Sequence, residues 1–236
     1  YSFINVFIFR KKIIVNGIII VVGLLLLSLL KPYILFALIP STLVWVTFTL
    51  KRDTTLNNRR KLVSIALICV MLSLPLLLQT FTPESKYNIA KLENTLEHFH
   101  KYHTQLSNRF KQSGYSFENV DYSFIGLLKK SPEAINVTFF RPYLWEITNF
   151  PTFLGAIESL LLVLFCIYLI VSLRIRLFKI IIQNNEVIFM LLFAALFGVM
   201  AGISSYNFGA LSRYKIPATL FFITSLALIY SEEKKL

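Results

Sequence analysis

Residues 13–30 run for eighteen positions without a charge, and only Asn16 and Ser28 among them are markedly polar. At about 1.5 Å per residue this run makes a helix of about 27 Å, close to the ~30 Å hydrocarbon thickness of a bilayer. Five further segments share its character: 34–50, 62–81, 152–173, 187–206 and 216–230. Inside hydrocarbon no water pairs with backbone N–H and C=O groups, so spanning segments must be helices or closed barrels, and unbroken apolar runs of this length select helices. With 56% hydrophobic and only 15% charged residues, a water-soluble domain is excluded. The expected fold is all-α: a polytopic transmembrane helix bundle of about six spans, with one large external loop containing an amphipathic helix.

The formal net charge of +12 raises nucleic acid as a partner, but the basic residues gather at the ends of apolar runs, where membrane topology puts them. No nucleic-acid partner is expected. If six helices alternate, one side carries 13 basic residues in short segments and the other carries 3, Lys31, Arg213 and Lys215. That asymmetry predicts a multi-pass protein of the cytoplasmic membrane with both ends of this chain cytoplasmic. The chain divides into spans one to three at 1–81, an external loop domain at 82–151 and spans four to six at 152–236. The last run is short, so it is expected to begin a few residues earlier, with Arg213 and Lys215 snorkelling toward headgroups. Residues 1–9 read as the end of an apolar helix cut short, continuing from a longer protein. A secretory signal is rejected, because Arg10, Lys11 and Lys12 follow the first apolar stretch instead of preceding it.

Little points to metal or redox chemistry. Cys69 and Cys166 both lie in apolar runs. His98, His100 and His103 cluster in the loop, but only His100 and His103 can share a helix face, and Glu97 is the nearest acid. They read as a solvated or interfacial face, and neither metal nor soluble cofactor is expected. Around them, apolar residues at Ile89, Leu92, Leu96, Phe99, Leu106 and Phe110 predict one amphipathic helix over 87–112, stopped by Ser113-Gly114. Its apolar stripe needs a cover, either the rest of the loop or the membrane surface. Residues 115–151 are more aromatic and read as less regular. Asn136-Val137-Thr138 matches a glycosylation sequon and reads as a chance match. Pro40, Pro75 and Pro217 predict kinks in or near spans, and Gly198 and Gly202 a close helix approach.

Polar residues at the membrane lip carry the functional expectation. Glu158 is the only acid within a predicted span, and a carboxylate there costs several kcal/mol, on the order of the penalties for intramembrane charge, unless paired. Its expected partner is Arg213, and Arg141, Arg213 and Lys215 are expected to converge near it. The stretch Phe140-Arg141-Pro142-Tyr143-Leu144-Trp145-Glu146 adds a planar cationic fork suited to phosphate or carboxylate, with flat rings on which sugars or headgroups rest. Two readings stand beside each other: structural ion pairs and an interfacial aromatic belt, or the floor of an outward-facing pocket for an anionic, lipid-linked substrate.

The segments FRPYLWE (140–146) and NFGALSRYKIP (207–217), with many spans and one large external loop, resemble the C-terminal half of bacterial polytopic surface-polysaccharide assembly proteins, such as O-antigen polymerases and other enzymes using polyprenyl-linked sugars. The resemblance implies that Arg141 and Arg213 grip a lipid carrier's pyrophosphate, with Trp145, Tyr214 and Lys215 in the binding surface. It also implies that Glu146 or Glu158 activates a sugar hydroxyl as general base. The expected function is the handling of a polyprenyl-pyrophosphate-linked saccharide at the outer face of the membrane, as a polymerase or glycosyltransferase. A non-catalytic subunit docking a membrane-protein partner through the loop is the alternative. A transporter comes third, because the spans hold few midplane polar residues.

Overall fold

A computed structural model of the chain describes residues 2, 5–6, 11–52, 94, 96–98, 101–102, 105, 114–117 and 121–234. Regular structure among them is helical, with no β-strand and one isolated bridge between Gly114 and Asn207. The chain forms two compact units, Tyr1–Ile89 and Ala90–Leu236.

In the first unit, helix α1 (Ile13–Leu30) has the bounds of the first predicted span and α2 (Pro32–Arg52) covers the second. Their apolar stretches, Ile14–Leu29 and Tyr33–Thr49, are shorter than those of the helices long enough to cross a membrane. A single residue, Lys31, separates them. Ile20 and Leu24 of α1 pack with Leu35 and Ile39 of α2, while Ile14, Ile18, Leu26 and Leu29 lie exposed. Asn16, the polar residue of the run, is buried; its side-chain amide donates to the Lys11 carbonyl at 2.8 Å and satisfies an acceptor just outside the helix. Pro40 lies inside α2. The third predicted span, 62–81, with Pro75 and Cys69, falls outside the described residues. So do most of the predicted 87–112 helix, His100 and His103. Of that stretch, Leu96–His98 are helical, and His98 is exposed.

The second unit holds α3 (Phe124–Phe140), a 3-10 turn (Leu144–Glu146), α4 (Phe150–Leu173), α5 (Ile175–Gln183), α6 (Asn185–Ser205), α7 (Phe208–Tyr214) and α8 (Ile216–Glu233). Helices α4 and α6 are long and apolar enough to cross a membrane; α7 and α8, bent by 62°, make a third candidate span if taken together. The kink expected at Pro217 lies at the α7–α8 bend: Pro217 sits in the first turn of α8 and has no N–H to carry the α7 ladder across the break.

Helix α3 corrects the expectation of irregular structure across 115–151. Pro132 removes the donor that would have met the Leu128 carbonyl, and the Ser131 hydroxyl donates to that carbonyl at 2.7 Å instead. At the helix start the Ser123 hydroxyl accepts from Gly126 N–H at 3.2 Å. A Cβ at Gly126 would come within 2.2 Å of the Asp121 carbonyl oxygen, so the turn entering α3 admits only glycine there.

Helix α3 lies against α6, and the predicted Gly198/Gly202 pair is its seat. Built Cβ atoms would stand 2.8 Å from the Phe139 ring at Gly198 and 2.6 Å from the Ala134 carbonyl oxygen at Gly202. The buried Thr138 hydroxyl lies 2.7 Å from the Gly198 carbonyl oxygen. Close backbone approach and such hydrogen bonds, each worth about 1 kcal/mol, hold the pair. Phe139 also meets Phe222 of α8 with ring centroids 4.6 Å apart. At the opposite end of the unit, Leu169 and Leu173 of α4, Ile180 of α5, Val187 of α6 and Ile229 of α8 share one core cluster.

Candidate functional site

The chain leaves α3 at Arg141 and enters the 3-10 turn after Pro142. This turn brings Glu146 back onto Arg141: the guanidinium Nε–H lies 3.0 Å from Oε2 and 3.1 Å from Oε1, and Nη2 also meets Oε1. The backbone N–H of Tyr143 donates to Glu146 at 2.8 Å. Three rings surround the same guanidinium, those of Tyr115, Tyr143 and Phe208, with centroids 5.7, 5.8 and 5.5 Å from its carbon. Ion pair and rings together hold Arg141 in one orientation.

Local chemistry fixes each of these neighbours. Tyr115 donates its hydroxyl to the Gly202 carbonyl at 2.6 Å, and burial pushes that hydroxyl's pKa above its ordinary value, so it stays a donor. The Tyr143 hydroxyl meets the Asn136 amide at 2.9 and 3.1 Å, which gives the residue of the sequon match a structural role. Ser159 of α4 donates to the Arg141 carbonyl at 3.0 Å. Helix α4 begins with reciprocal capping: Thr152 N–H donates to the Asn149 side chain, and the Thr152 hydroxyl accepts from Asn149 N–H, both at 3.0 Å. On the far side Asn207 caps α7, its side chain accepting from Gly209 N–H at 2.7 Å.

Between these pieces lies a cavity of about 480 Å³, lined by Arg141 and Pro142, by Thr148, Asn149, Thr152 and Gly155 around the start of α4, and by Asn207, Phe208, Gly209, Leu211, Ser212 and Lys215. Lys215 occupies the bend between α7 and α8. Its side chain is only 4% exposed, and its Nζ lies 3.2 Å from Oε1 of Glu158, which is 44% exposed. Two expectations are corrected here. Lys215, not Arg213, pairs with Glu158, because the α7–α8 bend turns Lys215 inward while Arg213 stays on the exposed side of the short helix, its Nε–H donating to the Gly209 carbonyl at 3.3 Å. For the same reason Lys215 does not snorkel.

Of the residues singled out in the sequence, Arg141 and Lys215 thus line one cavity, with Glu146 on the first and Glu158 on the second. Trp145 does not line it; it stacks on Tyr143 at 4.7 Å and is 80% exposed. Tyr214 and Arg213 are likewise exposed and outside the lining. Asn149, Thr152, Asn207 and Ser212 were not expected at the site. Their signal in the sequence, Asn and Thr three apart before an apolar run, reads as a helix start and carries no hint of a pocket. Among the described residues no group of three or more potential metal ligands comes together. Comparison with known proteins adds no relative: no family model, curated protein or solved structure matches the chain.

Burial opposes the charge on Glu146, but the Arg141 hydrogen bonds, the Tyr143 N–H and the guanidinium charge outweigh it and hold its carboxyl below the ordinary 4.5. A lowered folded-state pKa contributes stability that is complete above the unfolded value and is lost as pH falls through the folded one. Thermal unfolding in detergent should therefore show the wild type losing stability as pH falls below about 4.5, more steeply than Glu146→Gln. Parallel curves for the two proteins would show that the pair contributes nothing.

Proposed function

We propose that the chain is part of an integral, multi-pass cytoplasmic-membrane protein of envelope-glycan biosynthesis, and that the cavity between Arg141 and Lys215 takes the pyrophosphate of a polyprenyl-linked saccharide. The observation that carries this reading is the pairing of two cations on one cavity wall. Arg141 is fixed by Glu146 and three rings, and Lys215 is nearly buried with a single carboxylate at 3.2 Å among the described residues. An ammonium held out of water has unspent donors, and a dianion offers acceptors for them. With six spans and the 82–151 region outside, as the distribution of basic residues supports, the cavity would open at the outer face.

In this reading the two acids differ in role. Both oxygens of Glu146 are taken by Arg141 and by Tyr143 N–H, so Glu146 positions Arg141. Glu158 is half exposed and bound to one partner, and it is the residue available to accept a proton. The acceptor sugar's hydroxyl oxygen would form a bond to the anomeric carbon of the lipid-linked donor as the bond from that carbon to the pyrophosphate oxygen breaks. The hydroxyl proton passes to Glu158, and the pyrophosphate leaves with its electron pair against Arg141 and Lys215.

A long-chain polyprenyl pyrophosphate should raise the thermal midpoint of the purified protein by several degrees, and Arg141→Ala should abolish the shift. Glu158→Gln should keep the shift and lose surface-glycan formation in the native host by about 10²-fold or more. An equal shift in Arg141→Ala, or none in the wild type, would overturn the assignment of the cavity. A silent cavity with normal glycan in every variant would favour the non-catalytic subunit.

A further inference from the structure

Helix α5 is nine residues long, joins two helices that can each cross a bilayer, and presents three chemically distinct faces. Leu177, Ile180 and Ile181 pack into the core cluster shared by α4, α6 and α8. Ile175, Phe178 and Ile182, spaced by three and four, are 86%, 67% and 67% exposed. Arg176, Lys179 and Gln183 occupy the remaining arc, with Arg174 preceding the helix; the three cations are exposed and their side chains make no hydrogen bond or ion pair among the described residues.

A helix anchored on one face needs a partner for the other two. The preceding span also ends in exposed apolar side chains, with Leu164, Ile167, Ile170 and Val171 standing out from α4. From Leu173 to Asn185 the sequence has three basic residues and no acid. The acids at this end of the unit lie on other elements: Glu186 in the first turn of α6, and Glu232 and Glu233 at the end of α8, where Glu233 meets the Ser172 hydroxyl. Apolar side chains flanked by uncompensated cations, at the end of a spanning helix, match the boundary between acyl chains and anionic headgroups.

We propose that α5 lies in the headgroup boundary of the membrane leaflet and is a binding surface for anionic phospholipid. Ile175, Phe178 and Ile182 enter the acyl region, while Arg174, Arg176 and Lys179 hold the lipid phosphates. This rests on α4 and α6 crossing a bilayer and not on the glycan reading. The face is too small and too basic for an apolar protein surface, and its cations have no acidic counterpart in this unit's own helices beyond those named.

The test uses the full chain with Phe178→Trp in a Trp45→Phe, Trp145→Phe background, reconstituted in phosphatidylcholine vesicles containing a minor fraction of phosphatidylglycerol. The indole at position 178 should be quenched by acyl-chain-brominated lipid and shielded from aqueous iodide. Brominated phosphatidylglycerol should quench it as though enriched about fivefold or more over brominated phosphatidylcholine at equal mole fraction. Combining Arg174→Gln, Arg176→Gln and Lys179→Gln should bring that ratio to about one while quenching by brominated phosphatidylcholine persists, which shows the helix still seated. Iodide access without lipid quenching overturns the proposal, as does protection from both quenchers, which places a protein over the face. Equal quenching by the two lipids in the parent protein overturns the anionic preference.

Discussion

Replacing Lys215 with methionine is expected to cut surface-glycan formation by about 10²- to 10³-fold while leaving the protein in the membrane at its normal level. Methionine keeps the apolar stem that fills the α7–α8 bend and removes only the charge, so packing survives. The carboxylate left behind is not stranded, because Glu158 is 44% exposed and can be hydrated. What disappears is the one cation withheld from solvent at the cavity, where its interaction with an oxyanion is strongest. Lys215→Arg should recover part of the activity. Arg213→Ala, on the exposed side of α7, should change it by less than about threefold, since a solvated charge outside the lining is worth little. Normal glycan levels in Lys215→Met would remove Lys215 from the chemistry, and a severe loss in Arg213→Ala would restore the pairing expected from sequence.

The second large effect is on stability. Gly202→Ala should cost about 2–4 kcal/mol, a fall of about 5–15 °C in thermal midpoint, because the new methyl meets the Ala134 carbonyl oxygen at 2.6 Å and the Thr138 hydroxyl at 2.8 Å. Backbone and a buried hydroxyl cannot swing aside, so α3 as a whole must move. That movement reaches the site, since Arg141 caps α3 and Tyr115 donates to the Gly202 carbonyl. Gly198→Ala should cost less, because the atom in the way belongs to the Phe139 ring. Gly17→Ala in α1 is the control: nothing lies within 4 Å of its added methyl, and the change should stay within about 1 kcal/mol. Detergent thermal unfolding of the three variants ranks them directly. Equal midpoints for Gly202→Ala and Gly17→Ala would mean that α3 is not seated as described.

The apolar helices were legible because absence of charge over about eighteen residues has few structural meanings. Boundaries followed closely: 13–30 is α1 unchanged, and 152–173 is α4 extended by two residues at its capping turn. Helix α3 was not legible, since Lys129, Lys130, Pro132 and Glu133 interrupt its apolar pattern with the residues that usually mark a loop. Only contact with α6 reveals what the pattern is for, and the Ser131 hydroxyl repairs the break that Pro132 makes. At the site, that Arg141 and Glu146 pair with each other is seen only in the structure. As site residues they could be singled out, because an Arg and a Glu five residues apart, braced by Pro and Trp, stand out against an interfacial aromatic belt. The Glu158 partner could not. Arg213 and Lys215 are two apart on either side of a 62° break whose angle the sequence does not state, and that angle decides which of them is buried.

The seating of α3 on α6 also fixes an order of events during synthesis. Thr138 meets Gly198 across 60 residues of chain, and Tyr115 meets Gly202 across 87. Helix α3 leaves the ribosome before α4, α5 and α6 exist, so its partner surface appears only after two further apolar segments have been delivered to the bilayer. Its docking is a late, post-insertion step that depends on those segments already being in place. A chain arrested before residue 198 would hold Arg141 and Glu146 in the correct primary order with no cavity to serve.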